Sequence, residues 1–204
     1  MNKPSLLLHS CCAPCSSHVI ELLSPQWQIT SFFYNPNIAP AGEYHIRLGE
    51  LKKFSVLKSF QLIEGDYDNK KWTDAVKKYR HLGEKSLRCR ECFNFRLDKV
   101  FSFAAERKMD AVATVLSISP HKDTSVINSI GLELEKKYGI KFIEADFKKN
   151  NGFKHSLELS KEHDFYRQKY CGCGYSRLER DPHSSWSIYL KNHHRKTPDI
   201  KKIS

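Results

Sequence analysis

Short apolar runs alternate with longer amphipathic stretches along this chain. Leu6 to Leu8 reads as a first strand, and Val19, Ile20, Leu22 and Leu23 mark the buried side of a following helix. Pro14 suits that helix's first position, where a missing N–H costs nothing. Ile29 to Tyr34 (ITSFFY) is β-branched and aromatic, predicting a second strand closed by the turn Asn35-Pro36-Asn37. Pro40 opens a helix expected to reach about Phe60, with Leu48, Leu51, Phe54 and Leu57 on its apolar side. Leu62-Ile63 predicts a short strand, and Trp72, Val76 and Tyr79 a helix after it. A polar break, His81 to Arg88, leads to Cys89; from Cys92 a helix carries Phe93, Leu97, Val100 and Ala104 on one face. Ala111 to Ile118 reads as a strand, with Ser119 and Pro120 as N-cap and first residue of a helix ending at Gly139. Ile140 to Ile143 predicts another strand and Ser156 to His163 a short helix, while the last cysteines fall in the loop Tyr170 to Gly174.

Strands alternating with helices imply βαβ units: an α/β fold with a mainly parallel sheet and helices on both faces. In such sheets the functional crevice lies beyond the carboxyl ends of the strands. The stretch HSCCAPCSSH, His9 to His18, falls there, as do Asn35 to Asn37 and Ser117 to Lys122. Residues 1–180 are expected to form one catalytic domain, and 181–204 a basic tail, loosely docked or partly disordered.

Composition narrows the setting. A chain of 204 residues, 40% apolar and 28% charged, supports one core. It holds no apolar run of membrane-spanning length and opens without the pattern of a secretory signal, so a cytoplasmic protein with no membrane partner is expected. Reducing conditions there argue against disulfides, and the seven cysteines read as metal ligands or redox groups. The net charge of +11 favours a polyanionic partner.

The thiols come in three sets: Cys11, Cys12 and Cys15; Cys89 and Cys92; Cys171 and Cys173. Four would suffice for structural zinc, leaving the first triplet unexplained at the best catalytic position. A nucleophilic Cys12 or Cys15 would leave most of the others idle. An iron–sulfur site plus a second metal uses them best, although Cys₄ sets serve both zinc and clusters. Gly172 and Gly174 would let backbone N–H groups approach such a site. The first loop has no glycine to cradle phosphate, which argues against ATP.

HSCCAPCSSH, FFYNPNI with Glu43, Tyr44 and Arg47, RCRECFNFRL, SISPHK, DFKKNNGFKHSLELS and YRQKYCGCGYS occur in one order from about Leu6 to Ser176. Together they resemble the QueH-type, cobalamin-independent epoxyqueuosine reductases. The resemblance implies a Rossmann-like, nucleotide-hydrolase-like fold carrying a [4Fe–4S] cluster and an additional iron ion. It implies reduction of epoxyqueuosine to queuosine at the wobble position of tRNA, without cobalamin. Carried onto this sequence, it assigns Cys12, Cys89, Cys92 and Cys171 to the cluster and Cys11 and Cys173 to the extra iron, with Cys15 a further metal ligand. Removing the epoxide oxygen takes two electrons and two protons, so a ferredoxin or flavodoxin is the expected partner. Tyr34, Glu43, Arg47, His121 and Lys122 are the candidate proton donors and catalytic groups; alone, Glu43 and Arg47 would read as a surface i, i+4 ion pair. Lys148, Lys149, Lys154, Arg167 and Lys169, interleaved with Phe153, Tyr166 and Tyr170, suit an anticodon stem-loop. Lys191, Arg195, Lys196, Lys201 and Lys202 would add phosphate contacts. The competing readings are a thiol-based sulfur-transfer or redox enzyme acting on tRNA, and a zinc-stabilised RNA-binding module.

Overall fold

Five parallel strands form one sheet, in the order β3-β2-β1-β4-β5, in a computed structural model that describes residues 3–185, 187, 188 and 191. The strands are β1 (Ser5–His9), β2 (Gln28–Phe33), β3 (Gln61–Glu64), β4 (Ala111–Thr114) and β5 (Lys141–Phe142). The helices are α1 (Ala13–Leu23), α2 (Ala41–Leu57), α3 (Asn69–Val76), α4 (Leu87–Glu106), α5 (Thr124–Tyr138), α6 (Gly152–Glu162) and α7 (Gly174–Arg180). Leu6 sits opposite Ile29 on one side and Ala111 on the other, so β1 is the central strand. Leu6, Leu7 and Leu8 are all fully buried, which is why β1 is an unbroken apolar run rather than an alternating one. α1 packs on α2 and α6, and α4 on α5, giving the expected Rossmann-like sandwich. From β1 the chain moves outward through β2 and β3, then returns to β4 on the other side. The crevice between β1 and β4 is therefore the topological switch point.

Element boundaries differ from expectation where side chains cap or bury backbone. α4 starts five residues before Cys92, because the Ser86 hydroxyl accepts the Arg88 N–H at 3.2 Å; Cys89 is thus helical. β4 stops at Thr114, whose hydroxyl accepts the Leu116 N–H and turns Val115–Ile118 into a 3₁₀ segment. Ser119 and Pro120 do not start α5. Asp123 does, its carboxylate accepting the Ser125 and Val126 N–H groups. Gly139 closes α5 at φ 68° as expected. Pro14 is the second residue of α1, and α2 ends at Leu57, before Phe60. Val76 ends α3, with Tyr79 in a 3₁₀ turn; α6 begins at Gly152, and α7 arises where a loop was expected to continue. Among the described residues no helix is long and apolar enough to cross a membrane. Lys191 is exposed, while Arg195, Lys196, Lys201 and Lys202 lie outside the described residues.

Candidate metal centre

β1 delivers its last residue into the switch point. The His9 ring meets Thr114 Oγ1 at 2.9 Å and the Tyr34 carbonyl at 3.1 Å, joining the ends of three neighbouring strands. Burial, then the Arg96 charge, lowers its pKa to about 3, so His9 is a neutral cross-brace. Three residues later the chain turns into α1 with Cys12 as extended N-cap. The sulfurs of Cys11, Cys12 and Cys15 all lie within 4.8 Å of one another. Hydrogen bonds from Cys11 and Cys15, with the Arg47 charge, hold the Cys12 thiol well below its ordinary value. Gln168 Nε2 also donates to Cys12 Sγ at 3.2 Å. Cys15 is pushed up, first by its hydrogen bonds with Cys11 and Cys12.

A second group forms beside it. Cys89 and Cys92 are one turn apart on α4, while Cys173 is the N-cap of α7, its sulfur accepting the Ser176 N–H at 3.3 Å. Cys92 and Cys173 share a buried cluster with Trp72 and Val76. Burial, then neighbouring Cys171 and Cys92, pushes the Cys89 thiol up to about 12; the same causes raise Cys173. These thiols are crowded enough to oppose one another's ionisation, a conflict that a bound cation resolves by taking the charge. Their donor chemistry fits a soft metal or an iron–sulfur group.

Two buried arginines hold the segment bearing Cys171 and Cys173. Arg47, 1% exposed, is paired with Glu43 at 2.7 Å; its Nη1 and Nη2 donate to the carbonyls of Cys171 (3.1 Å) and Tyr170 (3.3 Å). Glu43 takes a second bond from the Tyr166 hydroxyl at 2.8 Å. The expected surface pair is therefore a buried clamp. Gly172 adopts φ 127°, and a Cβ there would come 3.0 Å from Arg47 Nη1; around Gly174 nothing stands within 4 Å. Arg88 pairs with Glu179 of α7 and lies over the Tyr175 ring.

The two thiol groups meet across a cavity of ≈ 170 Å³. Cys11 and Cys15 line one side, Cys89 and Cys171 another, and His121, Lys122, Arg167, Gln168 and Lys169 also line it. Cys12, Cys92 and Cys173 are buried behind this lining. Burial opposes charge on Lys122, but Cys171, Cys11 and Cys15 outweigh it and raise its pKa. Tyr34, Glu43 and Arg47 do not line the cavity: Tyr34 is 2% exposed and stacks between Phe32 and Phe95. Among the residues expected to contact RNA, Phe153 and Tyr170 also line the cavity, Lys148 pairs with Asp146 at 2.8 Å, and Lys149 and Lys154 are exposed. Sequence reasoning missed Arg88, Arg96, Gln168 and Trp72. A signal existed for two of them: Arg88, Cys92 and Arg96 follow one another at i, i+4 and i+8 on one helix face.

Comparison with known proteins supplies the family. The family model described as epoxyqueuosine reductase QueH matches residues 6–179. A Streptococcus pyogenes epoxyqueuosine reductase QueH is 41% identical over 180 residues, covering 85% of this chain and 71% of the relative. Proteins of the same name from Acinetobacter baylyi (40%; 86% of this chain, 81% of the relative) and Thermotoga maritima (39%; 86% and 92%) are also similar.

Proposed function

The chain belongs to the epoxyqueuosine reductase QueH family and is an oxidoreductase of that activity; from this premise we propose how its residues divide the work. The substrate is epoxyqueuosine at the wobble position of a tRNA anticodon, and the thiols hold a [4Fe–4S] cluster and an additional iron ion. The convergence of three separated thiol segments on one cavity at the switch point carries this reading. Its geometry favours a division other than the one carried over from the family motifs. Cys92 and Cys171 neighbour both Cys89 and Cys173, so these four suit the cluster; Cys11, Cys12 and Cys15 suit the single iron.

When bound, the metal group supplies single electrons and an electron-pair acceptor for the epoxide oxygen. The protein's own groups do the rest. Reduction consumes two electrons and two protons, cleaves both C–O bonds of the ring, forms the alkene and releases water. Lys122, its charge favoured by the surrounding thiols, is placed to hydrogen-bond the departing oxygen. His121, exposed and also lining the cavity, is the candidate to relay protons from solvent. Tyr34, Glu43 and Arg47 are buried outside the cavity lining, so Glu43 and Arg47 act by positioning the Cys171 carbonyl rather than by giving a proton. Arg167 and Lys169 suit phosphates flanking the modified nucleotide. A small carrier such as ferredoxin or flavodoxin returns the electrons.

Anaerobic incubation of iron-reconstituted protein with reductant and epoxyqueuosine-containing tRNA, followed by nucleoside mass analysis, tests the reaction. Loss of one oxygen per modified base is expected. Iron counting and Mössbauer spectra on the same sample test the metals, and a colourless zinc protein would overturn them.

A further inference from the structure

We propose that α3 and the 3₁₀ turn after it (Lys77–Tyr79) are the docking surface for a small acidic one-electron carrier protein. This inference rests on the reductase reading above, since only such a chemistry needs electrons delivered repeatedly. α3 has two faces of opposite character. Inward, Trp72 (3% exposed) and Val76 (0%) pack in one cluster with Cys92 and Cys173. Trp72 and Cys92 thus share one packed side-chain cluster beneath α3. α3 itself therefore covers two of the sulfurs on this side of the molecule.

Outward, residues 70–81, which run through α3 and the 3₁₀ turn and two residues past them, carry Lys70, Lys71, Lys77, Lys78 and Arg80 against one carboxylate, Asp74. Lys70 is tied to Asp74 at 3.0 Å and Lys71 to Asp68 at 2.8 Å. Lys77, Lys78 and Arg80 are exposed and form no ion pair among the described residues. Fixed cations set over a buried redox site complement the acidic surface of a carrier protein and steer its encounter. No residue of α3 lines the substrate cavity, so a carrier seated here leaves the tRNA in place between the two single-electron deliveries. RNA is the other polyanion that could use the patch, but none of Lys70, Lys71, Lys77, Lys78 and Arg80 lines the cavity that must receive the base.

The test is charge reversal at three exposed positions, Lys77→Glu, Lys78→Glu and Arg80→Glu, in the iron-reconstituted protein. Calorimetric titration with oxidised acidic flavodoxin reads binding without turnover. The dissociation constant is expected to rise about 10-fold or more at low salt, with the difference shrinking at higher ionic strength. Turnover driven by reduced flavodoxin should show a matching rise in the KM for the carrier. Turnover driven by dithionite should keep its kcat and its KM for tRNA. Unchanged flavodoxin affinity, or an unmodified protein that binds neither flavodoxin nor ferredoxin, would overturn the proposal. A raised KM for tRNA under dithionite would overturn it too, in favour of an RNA contact. Absence of dithionite-driven conversion by the unmodified protein would instead remove the reductase reading, an outcome separate from carrier binding.

Discussion

Cys11, Cys12 and Cys15 leave the sheet on the backbone of one strand and one helix, whereas Cys171, at the cavity, and Cys173, buried behind it, come on a segment that no strand carries. The first group needs little beyond local geometry: β1 aims it, and α1 spaces Cys12 and Cys15 at i and i+3. The last group is held by side chains from far away. Arg47 reaches Cys171 across 124 residues of sequence, and Arg88 reaches Glu179 across 91. A site assembled this way has one rigid wall and one wall latched by buried ion pairs. Such latches are costly to cut, because the surviving partner stays buried without its counter-charge.

The largest effects should come from the sulfurs themselves, and they separate the two walls. Cys171→Ala and Cys12→Ala are both expected to bring epoxyqueuosine reduction to background. Cys171→Ala should also lose the cluster's visible absorbance and most of its iron, while Cys12→Ala keeps the absorbance and loses about one iron per chain, as a lost single-metal ligand would. Loss of the cluster in both would dissolve the division into two thiol groups.

Next comes the latch. Arg47→Leu should lower the unfolding free energy of the metal-free protein by about 3–5 kcal/mol, as removal of one partner of a buried pair does. It should also weaken metal retention by about 10–100-fold through the displaced Cys171 carbonyl. Arg47→Leu combined with Glu43→Leu should recover much of the stability but not the retention. Denaturant titrations and timed chelator challenge read the two effects apart, and recovery of both would make the pair merely structural. Within the same segment, Gly172→Ala should cost about 1–3 kcal/mol for its left-handed backbone, sharpened by the 3.0 Å approach to Arg47. Gly174→Ala, in open space at the start of α7, should be neutral or stabilise by about 0.5–1 kcal/mol.

The contrast also explains what could be read in advance. Leu6 to Leu8, ITSFFY and Ala111 onward are largely apolar because both sheet faces are covered, so a parallel sheet and the rim at its strand ends followed from pattern alone, whereas the strand order did not. The first triplet was equally visible, since the end of a strand and the start of a helix leave it one place to be. Arg88 and Arg96 were not. Arginines beside cysteines on an amphipathic helix read as solvated, and only the fold supplies Glu179 and Asn35 as their partners. α7 was hidden for a related reason: seven residues with little apolar patterning become helical because Cys173 caps them and Arg88 and Glu84 hold their side chains. Glu43 and Arg47 had the spacing of a surface pair, and no local feature records that the Cys171 segment would fold over them.

The smallest effect tests where the rigid wall ends. The loop after β4 carries His121 and Lys122 into the cavity, and its position depends on where α5 begins. Ser119 and Pro120 have the composition of a helix start, yet the Asp123 carboxylate accepts the Ser125 N–H at 2.9 Å and the Val126 N–H at 3.4 Å. Asp123→Ala should therefore cost about 1 kcal/mol, the usual loss for an N-cap, and Asp123→Asn much less because the amide oxygen still accepts. Ser119→Ala should cost less, about 0.5 kcal/mol, since its hydroxyl accepts only the His121 N–H, at 3.3 Å, and caps no helix. Thermal unfolding of the metal-free protein resolves that difference. If Ser119→Ala proved the costlier change, α5 would start four residues earlier, and Lys122 would sit on a helix instead of on the loop that places it among the thiols.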